Sequence, residues 1–268
     1  MGAIGTKAST APTTPATPIL PEESETKPEE TTSEGDKEIS DRMHKLIDEA
    51  QAKLNEEKDS YYNYTICTIT NPNHYRLPGY TTNCAICTTA GELQNRGIDV
   101  AAGPWNESKK YSTSYVFETD LSDYDSYVAG SGNGISMTLV SGVGLKQQYE
   151  NMNYYVRNPN RFSSGSKTNT NILMDAMQKW GNNSSAELTF TWKGSTSGHS
   201  VWVTNRNGKV SIVDYQTGEV LTGAKQIRNY LSKTKPSSNT LVRLDHLKRR
   251  ADNVSEQNKM FEKKGDNK

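Results

Sequence analysis

A thiol, an imidazole and a carboxylate are enough to hydrolyse an amide. The sulfur attacks as thiolate, the imidazole carries the proton, and the acid orients the ring. Cys84, His199 and Asp214 supply these groups, in that chain order. The last two lie on either side of Asn207-Gly208, between the alternating runs His199–Asn205 and Val210–Gln216. Asn-Gly between such runs predicts a tight hairpin, because both turn residues must accept φ > 0. Counting outward, Arg206 faces Lys209, Val203 faces Ile212, Val201 faces Asp214 and His199 faces Gln216. Alternation then sets His199, Val201, Val203, Ile212, Asp214 and Gln216 on one face, with His199 and Asp214 as diagonal neighbours. Gln216 is a candidate to orient the ring or to bind a substrate amide.

Cys84 opens the segment Asn83-Cys84-Ala85-Ile86-Cys87, which continues to Arg96-Gly97. Asn83 suits an N-cap and Gly97 the C′ position, so a helix is expected with the cysteine at its first position. Free N–H groups and the positive end of the dipole favour a thiolate there, and the same N–H groups could hold an oxyanion. Asn83 is therefore a further candidate for the oxyanion or substrate region. Cys87, one turn deeper on the stripe with Ala90, reads as packing. Two other readings compete for Cys84-x-x-Cys87. It has metal-ligand spacing, and Cys67 with His74 would complete a Cys₃His zinc set; it also matches a thioredoxin-like redox pair. A single pair on a helix, with no second pair later in the chain, weighs against zinc, and neither a metal nor a cofactor is expected. His44, His74 and His246 are read as solvated.

The rest of the chain must position these groups. Residues 1–37 hold five of the ten prolines, no aromatic residue and a local charge of −4, the composition of a disordered acidic Pro/Thr-rich segment. Ile39, Met43, Leu46, Ile47, Ala50 and Leu54 then recur at helical spacing, giving an amphipathic helix over 38–59. Every aromatic residue lies beyond Ser60, and 60–245 is long enough for one core-bearing domain. Within it, Ile98–Ala102 reads as a strand, with Tyr115–Glu118 and Ile135–Val140 as candidate strands. Ile172, Leu173, Ala176, Met177 and Trp180 make a helix closed by Gly181. Leu188–Trp192, Ala224–Leu231 and Thr240–Leu244 read as strand, helix and strand. The charged stretch 246–268 is expected to be a solvated, fraying helix.

The 268 residues carry 31 basic and 31 acidic side chains, so neither nucleic acid nor an anionic membrane is expected as partner. No apolar run approaches the ~18 residues of a spanning helix, and the start lacks the pattern of a secretory signal. A cytoplasmic location, or delivery by a specialised secretion route or a phage particle, is the expectation.

Asn83-Cys84-Ala85-Ile86-Cys87 and Glu92-Leu93-Gln94-Asn95-Arg96-Gly97-Ile98-Asp99-Val100-Ala101-Ala102 resemble the first motif of the papain-fold toxin domains of bacterial polymorphic toxins. Gly198-His199-Ser200-Val201 and Gly208–Gly218 are similar to that family's second and third motifs. A similar domain accompanies phage minor head proteins. The resemblance implies an α+β papain-like fold, with the cysteine-bearing helix packed on an antiparallel sheet that bears His and Asp. It also implies a triad of Cys84, His199 and Asp214, and action as a protein glutamine deamidase or protease. A protein substrate, an immunity protein and phage head or portal components are the partners it suggests. Papain has an oxyanion-hole glutamine six residues before its cysteine; Pro78 stands there in this chain. The alternative to an enzyme is a non-catalytic structural or interaction module of a phage particle.

Overall fold

The computed structural model describes residues 34–54, 60–105, 116–117, 127–129, 169–235, 238–245, 247–251 and 254–263, all within one compact unit, Thr31–Lys268. The expected acidic segment up to residue 33, the candidate strand Ile135–Val140 and His246 lie outside the described residues.

In chain order the elements are α1 (Glu34–Lys53), β1 (Tyr61–Tyr62), α2 (Tyr64–Thr70), α3 (Cys84–Asn95), β2 (Val100–Ala102), β3 (Tyr127–Ala129), α4 (Asn169–Trp180), β4 (Ser184–Thr191), β5 (Gly198–Arg206), β6 (Lys209–Asp214), β7 (Glu219–Thr222), α5 (Ala224–Leu231), β8 (Thr240–Arg243), α6 (Val254–Met260) and β9 (Phe261–Lys263). Seven strands form an antiparallel sheet in the order β1-β7-β6-β5-β4-β8-β3, and β2 pairs with β9 in a second. The fold is α+β.

The central strands are buried on both faces, which explains why β5 reads as a nearly unbroken apolar run, Val201-Trp202-Val203. Val201, Val203, Val210, Ile212 and Leu221 face α4 and α5, against Leu173, Met177 and Ile227. Trp202, Val213, Tyr215 and Val220 face the other way, against Ile86, Cys87, Ala90 and Leu93 of α3 and Met43, Ile47 and Ala50 of α1. The expected stripe of α1 thus packs on this body. Arg206 adds a forked ion pair to Asp48, at 2.6 and 3.0 Å. The helix starts at Glu34, earlier than its apolar stripe suggests, because Glu34 and Asp36 favour the positive end of the dipole.

Helix α3, which begins at Cys84, is seated by a buried carboxylate. Glu92 accepts from Ser185 Oγ of β4, Trp202 Nε1 of β5 and Arg96 Nε, each at 2.7 Å. Arg96 also donates to the carbonyls of Leu244 and Leu247, both at 2.6 Å. Gly91 lies flat against the Tyr215 ring, where an added Cβ would sit 2.2 Å from two ring carbons. Alanine in place of a mid-helix glycine normally stabilises by up to about 1 kcal/mol. Here the fully buried ring cannot yield, and overpacking costs about 1–3 kcal/mol. Gly91→Ala is therefore expected to lower the urea midpoint; a raised midpoint would contradict this seating.

Two sequence expectations need correction, and a third is described only in part. The strand expected at Leu188–Trp192 begins earlier, at Ser184, because its polar residues find partners on α3 and β5: Ser185 with Glu92, and Glu187 with Ser200 Oγ at 2.7 Å. Of Tyr115–Glu118, only Val116 and Phe117 are described; both are buried, and Phe117 makes an isolated bridge to Arg249. The stretch beyond Asp245 is not a solvated helix throughout. Gln257 and Met260 of α6 are buried, and β9 pairs Ala102 with Phe261 and Val100 with Lys263.

Candidate active site

The hairpin forms as the Asn-Gly turn requires, with φ of 53° at Asn207 and 73° at Gly208. Arg206 pairs with Lys209 and Val203 with Ile212. The ladder stops at Trp202–Val213, however, and the chain turns at residues 215–218. Asp214 causes the departure. Its Oδ1 accepts the backbone N–H groups of Gln216, at 2.9 Å, and Thr217, at 3.3 Å, an Asx-type turn that ends the strand. Gln216 therefore does not face His199, correcting the extrapolated register.

The other carboxylate oxygen meets the histidine: His199 Nε2 lies 2.9 Å from Asp214 Oδ2. Nδ1 is the nitrogen left for Cys84, whose side chain lies near enough to favour the charged ring. Burial opposes a charge on His199, but the bond to Asp214, the nearby Cys84 side chain and their negative charge outweigh it, and its pKa rises to about 10. Trp192 stacks on the ring at 5.9 Å and 24°, and Phe190, opposite His199 in β4–β5, meets it edge-on at 5.7 Å. The imidazole is thereby fixed in plane and shielded from water on one side.

Cys84 is half-buried at the first position of α3. Asn83 occupies the N-cap position, but its side chain makes no capping bond. It points inward instead. Asn83 Oδ1 accepts from Gln216 Nε2 at 3.0 Å, Asn71 Nδ2 at 3.2 Å and Cys87 Sγ at 3.3 Å, while its Nδ2 donates to Gly103 O at 2.9 Å. Asn83 and Gln216 are 1% and 5% exposed, so the two tentative substrate or oxyanion residues bind each other rather than facing the cleft. The first amides of α3 are left without a side-chain cap, beside the thiol.

The remaining sulfurs and imidazoles lie elsewhere. Cys87 is fully buried, which pushes its thiol well up. Cys67 donates to Gln216 O at 2.9 Å, and burial raises its pKa to about 11. His74, expected in solvent, is buried, with Nδ1 3.0 Å from Tyr80 O. The Asn-Pro-Asn-His loop folds inward because Asn71 bonds both Tyr80 O and Asn83. Cys67 and His74 thus have protein partners of their own, unlike the Cys₃His arrangement considered from spacing. Sequence reading missed Glu92 as the seat of α3. Its signal was a carboxylate four residues before Arg96 on an otherwise apolar face.

Chemically, the arrangement puts a thiol, an imidazole held charged by a carboxylate, and uncapped helix amides at one point. No helix among the described residues is long and apolar enough to cross a membrane. No curated protein matches the chain. A family model described as papain fold toxin 1, glutamine deamidase, matches residues 82–219, from just before Cys84 to just past Asp214. That span is more than half of the chain, and the protein belongs to the papain fold toxin 1, glutamine deamidase family.

Proposed function

We propose that this protein is a protein glutamine deamidase, acting as a bacterial or phage-borne toxin or effector, with Cys84 as nucleophile, His199 as proton carrier and Asp214 as orienting acid. The observation that carries the reading is the meeting of the α3 thiol with the His199–Asp214 pair. The Cys84 thiolate attacks the carboxamide carbon of a glutamine side chain, and the oxyanion is met by the amides at the start of α3. Imidazolium His199 protonates the nitrogen as the C–N bond breaks, releasing ammonia and leaving a thioester. Neutral His199 then takes a proton from water, whose oxygen attacks the thioester; glutamate is released and the thiolate–imidazolium pair is restored.

Proteolysis uses the same steps with a peptide bond in place of the carboxamide. The family's description as glutamine deamidases favours the carboxamide. A protein substrate is supported by exposed apolar side chains in the segments leading to Cys84: Tyr62, Tyr64, Tyr75 and Leu77 are each more than half exposed. An immunity protein covering the cleft is the partner this reading adds. The catalytic domain on this reading extends from α1 through β9.

The test is peptide mapping of a cell lysate treated with the wild type or with Cys84→Ala under reducing conditions. Conversion of particular glutamines to glutamates by the wild type alone is the expected result. New chain termini would replace deamidation with proteolysis, and an unchanged lysate would remove the hydrolase reading.

A further inference from the structure

Two parts of the site arrive from different elements and must agree to a fraction of an ångström. Cys84 rides on α3, while the His199–Asp214 pair is held at the end of the β5–β6 hairpin. One buried side-chain bond ties the residue before the nucleophile directly to the turn behind the acid: Gln216 Nε2 to Asn83 Oδ1 at 3.0 Å. Gln216 is itself pinned at two further atoms. Its N–H donates to Asp214 Oδ1 at 2.9 Å, and its carbonyl accepts from Cys67 Sγ at 2.9 Å. Asn83 is pinned from the opposite side by Gly103 O and Asn71.

We propose that Gln216 and Asn83 form a positioning clamp that sets the thiol of Cys84 against the ring of His199, and that Gln216 is a positioning residue rather than one that touches substrate. A misplacement of about 1 Å can cost about a hundredfold in rate, and the hydrogen bonds that seat α3 on the sheet act one and two turns beyond Cys84, at Thr88 and Glu92, which leaves room for such a slide at its first turn. The clamp removes it by joining the two halves through hydrogen bonds whose lengths are fixed. Both partners are shielded from water, so no solvent molecule competes for the bond. The cysteines that the triad leaves unused find a reason here. Cys67 and Cys87 each donate into the clamp, one to Gln216 and one to Asn83.

The inference rests on Cys84 and His199 acting as a pair, and the experiment separates the two ideas. Iodoacetamide alkylation of Cys84 is followed by mass spectrometry of its peptide, in the full chain, from acid pH up to the titration of His199. His199→Ala is the reference for a lost pair. Gln216→Met, similar in length but unable to donate, is expected to alkylate at neutral pH about tenfold more slowly or worse, with a pH profile shifted to that of His199→Ala. Gln94→Met removes an equally buried amide donor at the far end of α3, where it bonds the carbonyls of Ile69 and Val100; it leaves the clamp bond in place and is expected to keep the wild-type profile while lowering the urea midpoint. Should Gln216→Met fail to fold, Gln216→Glu tests the same bond. Its protonated carboxyl can donate to Asn83 Oδ1 and its ionised form cannot, so its rate relative to wild type should fall as pH rises through the carboxyl's titration. A wild-type profile in the Gln216 variants, with His199→Ala altered, overturns the clamp alone. An unaltered His199→Ala profile overturns the pairing of Cys84 with His199, and the clamp with it.

Discussion

Cys84→Ala is expected to lower deamidation by about 10³-fold or more while leaving the urea midpoint close to that of the wild type. The two effects separate because Cys84 is only half-buried and lies outside both apolar cores, so its sulfur contributes little to packing. On the proposed mechanism, loss of the sulfur removes the atom that would form the thioester. His199→Ala is expected to cost nearly as much, and the double variant scarcely more than either single one, since groups that act as a unit are not additive. Cys87→Ala makes the internal control. Cys87 is buried and its thiol is held protonated, so its loss should reduce stability modestly and leave the reaction in place, because Asn83 keeps its bonds to Gln216 and Gly103. The measurement is ammonia release or glutamate formation per unit time. Wild-type rates in Cys84→Ala, or loss of the reaction only in Cys87→Ala, would move the nucleophile elsewhere.

Asp214→Asn carries the second large effect, read against pH. His199 has an ordinary pKa of 6.5 and a folded value of about 10. A raised value means that the folded state holds the proton more tightly than the unfolded chain does. The stability from the imidazolium is therefore fully present below pH 6.5 and is lost as pH rises through about 10. Burial alone would lower the pKa, and the Asp214 bond is the largest contribution opposing it. Asparagine keeps Oδ1 for the amides of Gln216 and Thr217, so the turn survives while the negative charge goes. The alkaline limb of Cys84 alkylation should then move from near pH 10 towards neutrality. The fall in stability between pH 6.5 and 10 should flatten, and the reaction should slow by about 10²- to 10⁴-fold. An alkaline limb that stays in place would show that Asp214 does not hold the charge on the ring.

The parts of this site legible in the sequence are those governed by local rules. Asn207-Gly208 can form only a narrow set of turns, and from that turn period-two alternation carried His199 towards Asp214. Asn83 and Gly97 bracketed α3, and the resemblance of the surrounding motifs to papain-fold toxins named the α+β fold. The register reading failed where a side chain overrode the ladder: the carboxylate of Asp214 captured the next amides and turned Gln216 out of line. His74 was misjudged because Asn71, not hydropathy, folds its loop inward. Non-local pairings had no signal at all. A three-residue strand such as Phe-Glu-Lys reveals nothing of its partner, and the polar half of β4 is strand only because Glu92 and Ser200 wait opposite it. The Asn83–Gln216 bond was invisible for the same reason, although both residues had drawn attention as neighbours of the reacting groups.

The guanidinium of Arg96 holds the end of α3 through the carbonyls of Leu244 and Leu247, and β9 closes on the strand that follows α3. In synthesis, then, the helix bearing the sulfur emerges from the ribosome long before the segments that hold it in place. Domain-sized chains of high contact order acquire such contacts late. A nascent chain would thus carry Cys84 without the geometry around it, and that geometry would be complete only as translation draws past β9.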